Sequence, residues 1–104
     1  MARFDVFRHP EAKRRKTVPF LLSIQSDALD FLATRAVAPL VAENAFGPRI
    51  PFLHPVLDVD NQRVVLAINE LVAVEATLLR GAVSNLGRDS TAIITALDYL
   101  ISGY

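Results

Sequence analysis

The apolar residues of this chain come in short, bulky runs, and before residue 90 each run is closed by proline, glycine or a polar turn segment. Such punctuation leaves no room for long helices and points to short strands joined by tight connections. Only at the end does the spacing change. Ile93, Leu97, Leu100 and Ile101 recur at helical intervals and form one apolar stripe, with Asp98 off it. Asp89 or Ser90 can cap that helix, and Gly103 can end it. About five or six short strands followed by one C-terminal helix make a mainly β protein, a small barrel or sandwich.

The strands can be placed. Phe4, Asp5, Val6 and Phe7 have strand character but alternate only loosely, and residues 18–24 are a second bulky run. His9-Pro10 and the cluster Lys13-Arg14-Arg15-Lys16 lie between them, so residues 3–25 read as a hairpin with a charged loop. Pro19 has no N–H to donate and belongs at a strand start or an edge. Gln25-Ser26-Asp27 is turn chemistry. Residues 28–42 are open to two readings. Ala28, Leu29, Phe31, Leu32, Ala33 and Ala36 suit a helix, whereas residues 34–40 suit a strand and Pro39 would break a helix, so we place a strand there. Residues 44–55 hold Gly47, Pro48, Pro51 and Pro55 and read as a loop, pinned to the core by Phe46, Ile50, Phe52 and Leu53. Residues 56–59 and 63–68 form a second hairpin around a tight Asp60-Asn61 turn. After a bend at Asn69-Glu70, residues 71–76 are strand-like, Leu78 and Leu79 close the apolar region, and residues 81–87 are a connector.

Composition narrows the function. A chain of 104 residues is one domain, residues 1–104. With 52% hydrophobic and 21% charged residues it is too apolar to be disordered, and it has apolar surface to spare for a sticky face. It has no cysteine, which excludes disulfides, thiol nucleophiles and Cys-ligated metals. The formal net charge is zero, which argues against binding nucleic acid or a membrane surface through bulk charge. No apolar run approaches the roughly 18 residues a membrane span needs. Arg3 and Asp5 interrupt any apolar leader, so a cytoplasmic protein is expected. The charge is unevenly spread: residues 1–20 carry +4 and the remainder −4.

No motif spells an enzyme. The four glycines are scattered, with no phosphate-cradling loop. His9 and His54 each precede a proline and read as turn residues. Ser26, His54 and Asp58 supply the residue types of a nucleophilic triad without its spacing, and two isolated histidines make a poor metal site, so no cofactor is expected. Three readings stay open for residues 13–16: a solvated tip, a phosphate contact, or a dock for an acidic partner. Asp27, Asp30 and Arg35 can form an internal ion pair or present a polar ligand surface. The chain ends Leu100-Ile101-Ser102-Gly103-Tyr104. There Tyr104 either folds back onto the core or is an exposed anchor for a protein partner.

In this order the motifs resemble the CcdB family of toxins from toxin–antitoxin pairs, over essentially the whole chain. The residues that carry the resemblance are Phe4-Asp5-Val6-Phe7 before a basic loop; Ile24-Gln25-Ser26-Asp27 with Asp30, Arg35, Pro39 and Leu40; Leu53-His54-Pro55-Val56; and the final helix with Gly103. The resemblance implies an SH3-like barrel of short antiparallel strands with a C-terminal helix, assembled as a homodimer. It implies a non-enzymatic poison that binds the A subunit of DNA gyrase and traps the enzyme on cleaved DNA. A CcdA-like antitoxin would neutralise it, and operator DNA would be met only through the antitoxin complex. Family positions facing gyrase fall on Ala28, Leu29, Asp98, Leu100, Ile101, Ser102, Gly103 and Tyr104. Here Ser102 stands where the family has a tryptophan, Tyr104 where it has isoleucine, and Asp98 where it has a neutral amide. Either Tyr104 supplies the missing ring, or gyrase poisoning is lost and the protein acts weakly or on another target. Charge and family analogy place the antitoxin on Arg8, Lys13, Arg14, Arg15 and Lys16, with residues 45–49 as a second contact.

Two other classes compete. The related MazF/Kid toxins are messenger-RNA endoribonucleases, and His9, Arg35 and the basic loop could be recruited to such chemistry, although that group's early strand motif is missing. A third reading is an inactive module that keeps only antitoxin binding and autoregulation.

Overall fold

The computed structural model describes residues 1–103, so Tyr104 lies outside the described residues. Seven strands precede one helix: β1 Asp5–Arg8, β2 Phe20–Ser23, β3 Thr34–Ala42, β4 Val56–Val59, β5 Gln62–Leu66, β6 Val72–Glu75, β7 Ser84–Asn85 and α1 Ser90–Ser102. The order in the sheet is β4-β5-β3-β2-β1-β7, with β6 also on β3, and every pairing is antiparallel. The sheet curls into a nearly closed barrel. Leu57 and Val59 from one edge and Leu86, just beyond the other, reach the same buried cluster as Val6, Leu22, Leu40 and Leu66. Ile93 and Ala96 of α1 close that cluster.

The loose alternation of β1 has a physical cause. Val6, Phe20, Leu22, Ala38 and Leu40 point into the barrel, while Phe7, Leu21, Val37 and Leu79 form a second core on the opposite face. Register enforces it: Val6 pairs with Leu22 and Leu22 with Ala38, whereas Phe7 pairs with Leu21 and Leu21 with Pro39. A strand buried on both faces loses the polar half of its period-two signature.

Pro39 lies inside the long central strand, where a missing donor ordinarily costs a ladder bond. Here β3 changes partner at that point. Residues 34–37 pair with β6 and residues 40–42 with β5. The Pro39 carbonyl accepts from Ala67 N–H at 3.0 Å. The absent N–H therefore faces the gap between two partners.

The hairpin of β4 and β5 turns on Asp60 and Asn61, both at positive φ (50° and 66°), as a two-residue turn of this twist requires. Helix α1 ends as its sequence implies: Gly103 is left-handed (φ 80°) and donates to the Tyr99 carbonyl.

Four expectations need correction. The connector at 81–87 contains β7, whose two residues are strand only because they pair with β1. Asp89 occupies the cap position of α1 but its side chain accepts no backbone N–H. The apolar stripe divides, with Ile93 buried and Ile101 73% exposed, because the barrel reaches only the first turns of the helix. Within 44–55, Leu53 is buried and Phe46 half-buried, but Ile50 and Phe52 are exposed. The amides of Leu53 and His54 both donate to the Ile50 carbonyl, and Phe52 sits at φ 71°; this tight turn sends Leu53 inward and Phe52 out.

Candidate functional site

The tip of α1 presents apolar side chains that the fold does not use. Leu100 and Ile101 are exposed, as are Asp98, Ser102 and Gly103. Tyr104, the remaining residue of this group, falls outside the described residues.

Ala28 and Leu29 lie on a short helical turn between β2 and β3. The Ser26 hydroxyl accepts from the Ala28 N–H at 3.2 Å and the Ser26 carbonyl from the Leu29 N–H at 3.0 Å. Leu29, Phe31 and Leu32 are 43%, 79% and 40% exposed, so the loop is an apolar protrusion. Arg35 anchors it from below. Its side chain is buried; Nη1 donates to the carbonyls of Leu32 (2.7 Å) and Thr34 (2.9 Å), and Nη2 donates to the Asp30 carbonyl and to Asp30 Oδ1 (2.8 Å). The ion-pair reading of Asp30 and Arg35 holds. Asp27 takes a different part, accepting from the Arg3 backbone N–H. No hydrogen bond or salt bridge among the described residues joins this loop to the helix tip.

The basic loop opens with Arg8 at the end of β1 and continues through a helical turn at Ala12–Arg14. Lys13, Arg14, Arg15 and Lys16 are all exposed. Arg14 pairs with Glu11 at 3.1 Å, and Arg15 Nε donates to the His9 carbonyl at 2.7 Å. His9 Nδ1 accepts from the Glu11 N–H at 3.0 Å. Partial burial holds the His9 imidazole below its ordinary pKa; Glu11 opposes this, and the positive charges of Arg14 and Arg15 add to it.

Beside this loop runs an apolar groove of about 380 Å³ across the outer face of the sheet. Leu21, Pro39, Val41, Val72 and Val74 line it with apolar atoms, and His9, Glu11, Arg14 and Glu70 supply its polar ones. The sequence reading missed this groove, because its apolar lining comes from β2, β3 and β6, which are distant in the chain. The outward-facing positions of those strands were its only available signal.

His54 closes the turn at 50–54, as expected, and is also a buried hub. Its Nδ1 accepts from the Ile50 N–H at 3.0 Å, so the ring proton sits on Nε2 and is donated to Asn69 Oδ1 at 2.8 Å. With both nitrogens engaged, no triad with Ser26 and Asp58 assembles. In the segment 45–49, Arg49 donates to the His54 carbonyl at 2.7 Å and is committed to the loop. Nearby, Glu43 is held below its ordinary pKa by hydrogen bonding to Arg63 at 3.0 Å. Among the described residues, no group of three or more His, Asp or Glu side chains could hold a metal ion, and no helix is long and apolar enough to cross a membrane.

The residues thus form an antiparallel barrel with a C-terminal helix, carrying an apolar tip, an apolar groove and a basic loop on its surface. A family model described as CcdB protein matches residues 3–103, and the chain belongs to the CcdB family. Membership supports the coarse functional class, a toxin of a toxin–antitoxin pair. A comparison with curated proteins gave no match.

Proposed function

We propose that this toxin acts without chemistry of its own: as a cytoplasmic homodimer it binds the A subunit of DNA gyrase and traps the enzyme on cleaved DNA. The observation that carries this reading is the exposed apolar tip of α1, ending in a left-handed Gly103, on a chain of the CcdB family. Ala28 and Leu29 add a second apolar contact. Loss of the family's tryptophan at Ser102 removes a cation–π contact worth about 0.5–2 kcal/mol, so the contact must draw on Leu100, Ile101 and Tyr104.

A CcdA-like antitoxin lies along the groove and basic loop. Arg8, Lys13, Arg14, Arg15 and Lys16 hold its acidic side chains while the apolar lining of the groove takes its apolar ones. Operator DNA is reached only through that complex. The ribonuclease alternative is poorly served by these residues, since Arg35 is 6% exposed and its donors are spent on Asp30 and the loop carbonyls.

The test is a supercoiling and DNA-cleavage assay with purified gyrase. The full chain stabilises cleaved DNA, and a chain truncated after Ile101 does so weakly or not at all. If both are inert at micromolar dimer, the gyrase reading fails. Antitoxin binding without cleavage would instead favour the inactive-module reading.

A further inference from the structure

Three arginines, two from the basic loop and one from about 65 residues further along the chain, line one surface hollow of about 420 Å³. Arg8 closes β1, Arg15 follows the helical turn of the basic loop, and Arg80 sits between Leu79 and the left-handed Gly81. The second core sets part of this convergence. Phe7 and Leu79 pack in the same cluster, so the residues that follow them, Arg8 and Arg80, emerge as neighbours. Arg15 is fixed by the bond from its Nε to the His9 carbonyl, which leaves its two terminal nitrogens for another partner.

The rest of the lining is Pro10, Thr77 and Leu78, with no carboxylate. Among the described residues, none of these three guanidiniums makes a salt bridge, as is also true of Arg3 and Arg49, whereas Arg14, Arg35, Arg63 and Arg88 each do. The chain has eleven acidic residues, so acids are not scarce. Three like charges around one hollow repel each other, and an anion seated there replaces repulsion with attraction. Guanidinium forks match the oxygens of a tetrahedral oxyanion, and the Thr77 hydroxyl adds one more donor. A phosphodiester backbone wants its cations in a row along the strand. Cations gathered around one hollow suit one compact, doubly charged group.

We propose that Arg8, Arg15, Arg80 and Thr77 form a binding site for a single phosphate dianion, either the free ion or the monoester phosphate of a small nucleotide. The site stands independently of the gyrase reading. It shares Arg8 and Arg15 with the antitoxin surface but adds Arg80, so phosphate competes with an acidic partner there.

The experiment is calorimetric titration and thermal melting of the full chain in sodium phosphate against sodium chloride at equal ionic strength, with adenosine monophosphate and adenosine in parallel. At ten times its dissociation constant, phosphate raises Tm by about 6 °C. Arg80→Gln reduces the shift, the double variant Arg15→Gln/Arg80→Gln abolishes it, and Arg88→Gln, outside the hollow, keeps it. A larger response to the nucleotide than to phosphate assigns a monoester ligand, and equal responses assign the free ion. The proposal is overturned if phosphate and chloride are indistinguishable up to about 50 mM. It is equally overturned if the double variant keeps the shift, or if adenosine matches its monophosphate.

Discussion

Replacing Arg35 with methionine tests how the apolar protrusion at 27–34 is held. The guanidinium makes four hydrogen bonds to three residues of that loop. Hydrogen bonds to charged groups contribute about 1.5–3 kcal/mol each, so the gross loss would be large. Three effects reduce it. The carbonyls it serves lie in an exposed segment and regain water. Asp30 is 45% exposed and is not left as a stranded buried charge. Methionine also removes Arg35 Nε, which is buried without a partner. The net cost is therefore about 2 kcal/mol, below the roughly 3–5 expected for breaking a fully buried pair. For a chain this size, Tm falls by about 8–10 °C. Local opening of the loop rises about 30-fold, read as faster hydrogen exchange at the amides of Leu29 and Leu32, which close its turns. Gyrase affinity falls with it, since Ala28 and Leu29 ride on the loop. A variant melting within about 2 °C of the wild type, with unchanged exchange at those amides, would refute the argument.

Other perturbations separate the fold from its surfaces. Ile93→Ala empties a fully buried position and costs about 2–4 kcal/mol, whereas Ile101→Ala, on the exposed tip, stays within about 0.5 kcal/mol of wild type while weakening gyrase binding; equal melting losses would contradict the division of the helix. Because the folded state resists protonating His9, its contribution is neutral above the ordinary imidazole value of about 6.5, grows destabilising as pH falls from there to the lower folded value, and is constant below it. Melting temperature should thus drop more steeply between pH 7.5 and 5 for the wild type than for His9→Gln, and parallel profiles would argue against it. Asn61→Val forces a β-branched side chain to positive φ and costs about 1–2 kcal/mol by urea unfolding. Reversing Arg14 and Arg15 to Glu weakens antitoxin binding in low salt without altering gyrase poisoning; unchanged affinity would remove the basic loop from that interface.

Local signals were readable and non-local ones were not. The two hairpins were legible because each is written within a short stretch: a charged loop between bulky runs, and Asp60-Asn61 between apolar ones. The C-terminal helix was legible from its spacing and from Gly103, but the sequence could not say where the barrel stops covering it. Nothing local marks Ser84 and Asn85 as strand; their state comes from Asp5 and Val6 at the other end of the chain. The outward turn of Phe52 depends on a backbone angle that composition does not encode. Of the candidate site, the charge cluster and the apolar chain end could be seen in advance. The groove lining and the place of Arg80 beside Arg8 could not, because each needs strands far apart in sequence to be laid side by side.

The strands that serve two cores leave this protein little freedom to drift. At Val6 and Phe7, at Phe20 to Leu22 and at Val37 and Ala38, inward and outward positions are both spoken for, so a substitution at either parity disturbs packed atoms. Substitutions that spare both cores are then left to the protruding loops and the exposed end of α1. What the surface grips can therefore be altered residue by residue while the two cores keep the scaffold in place.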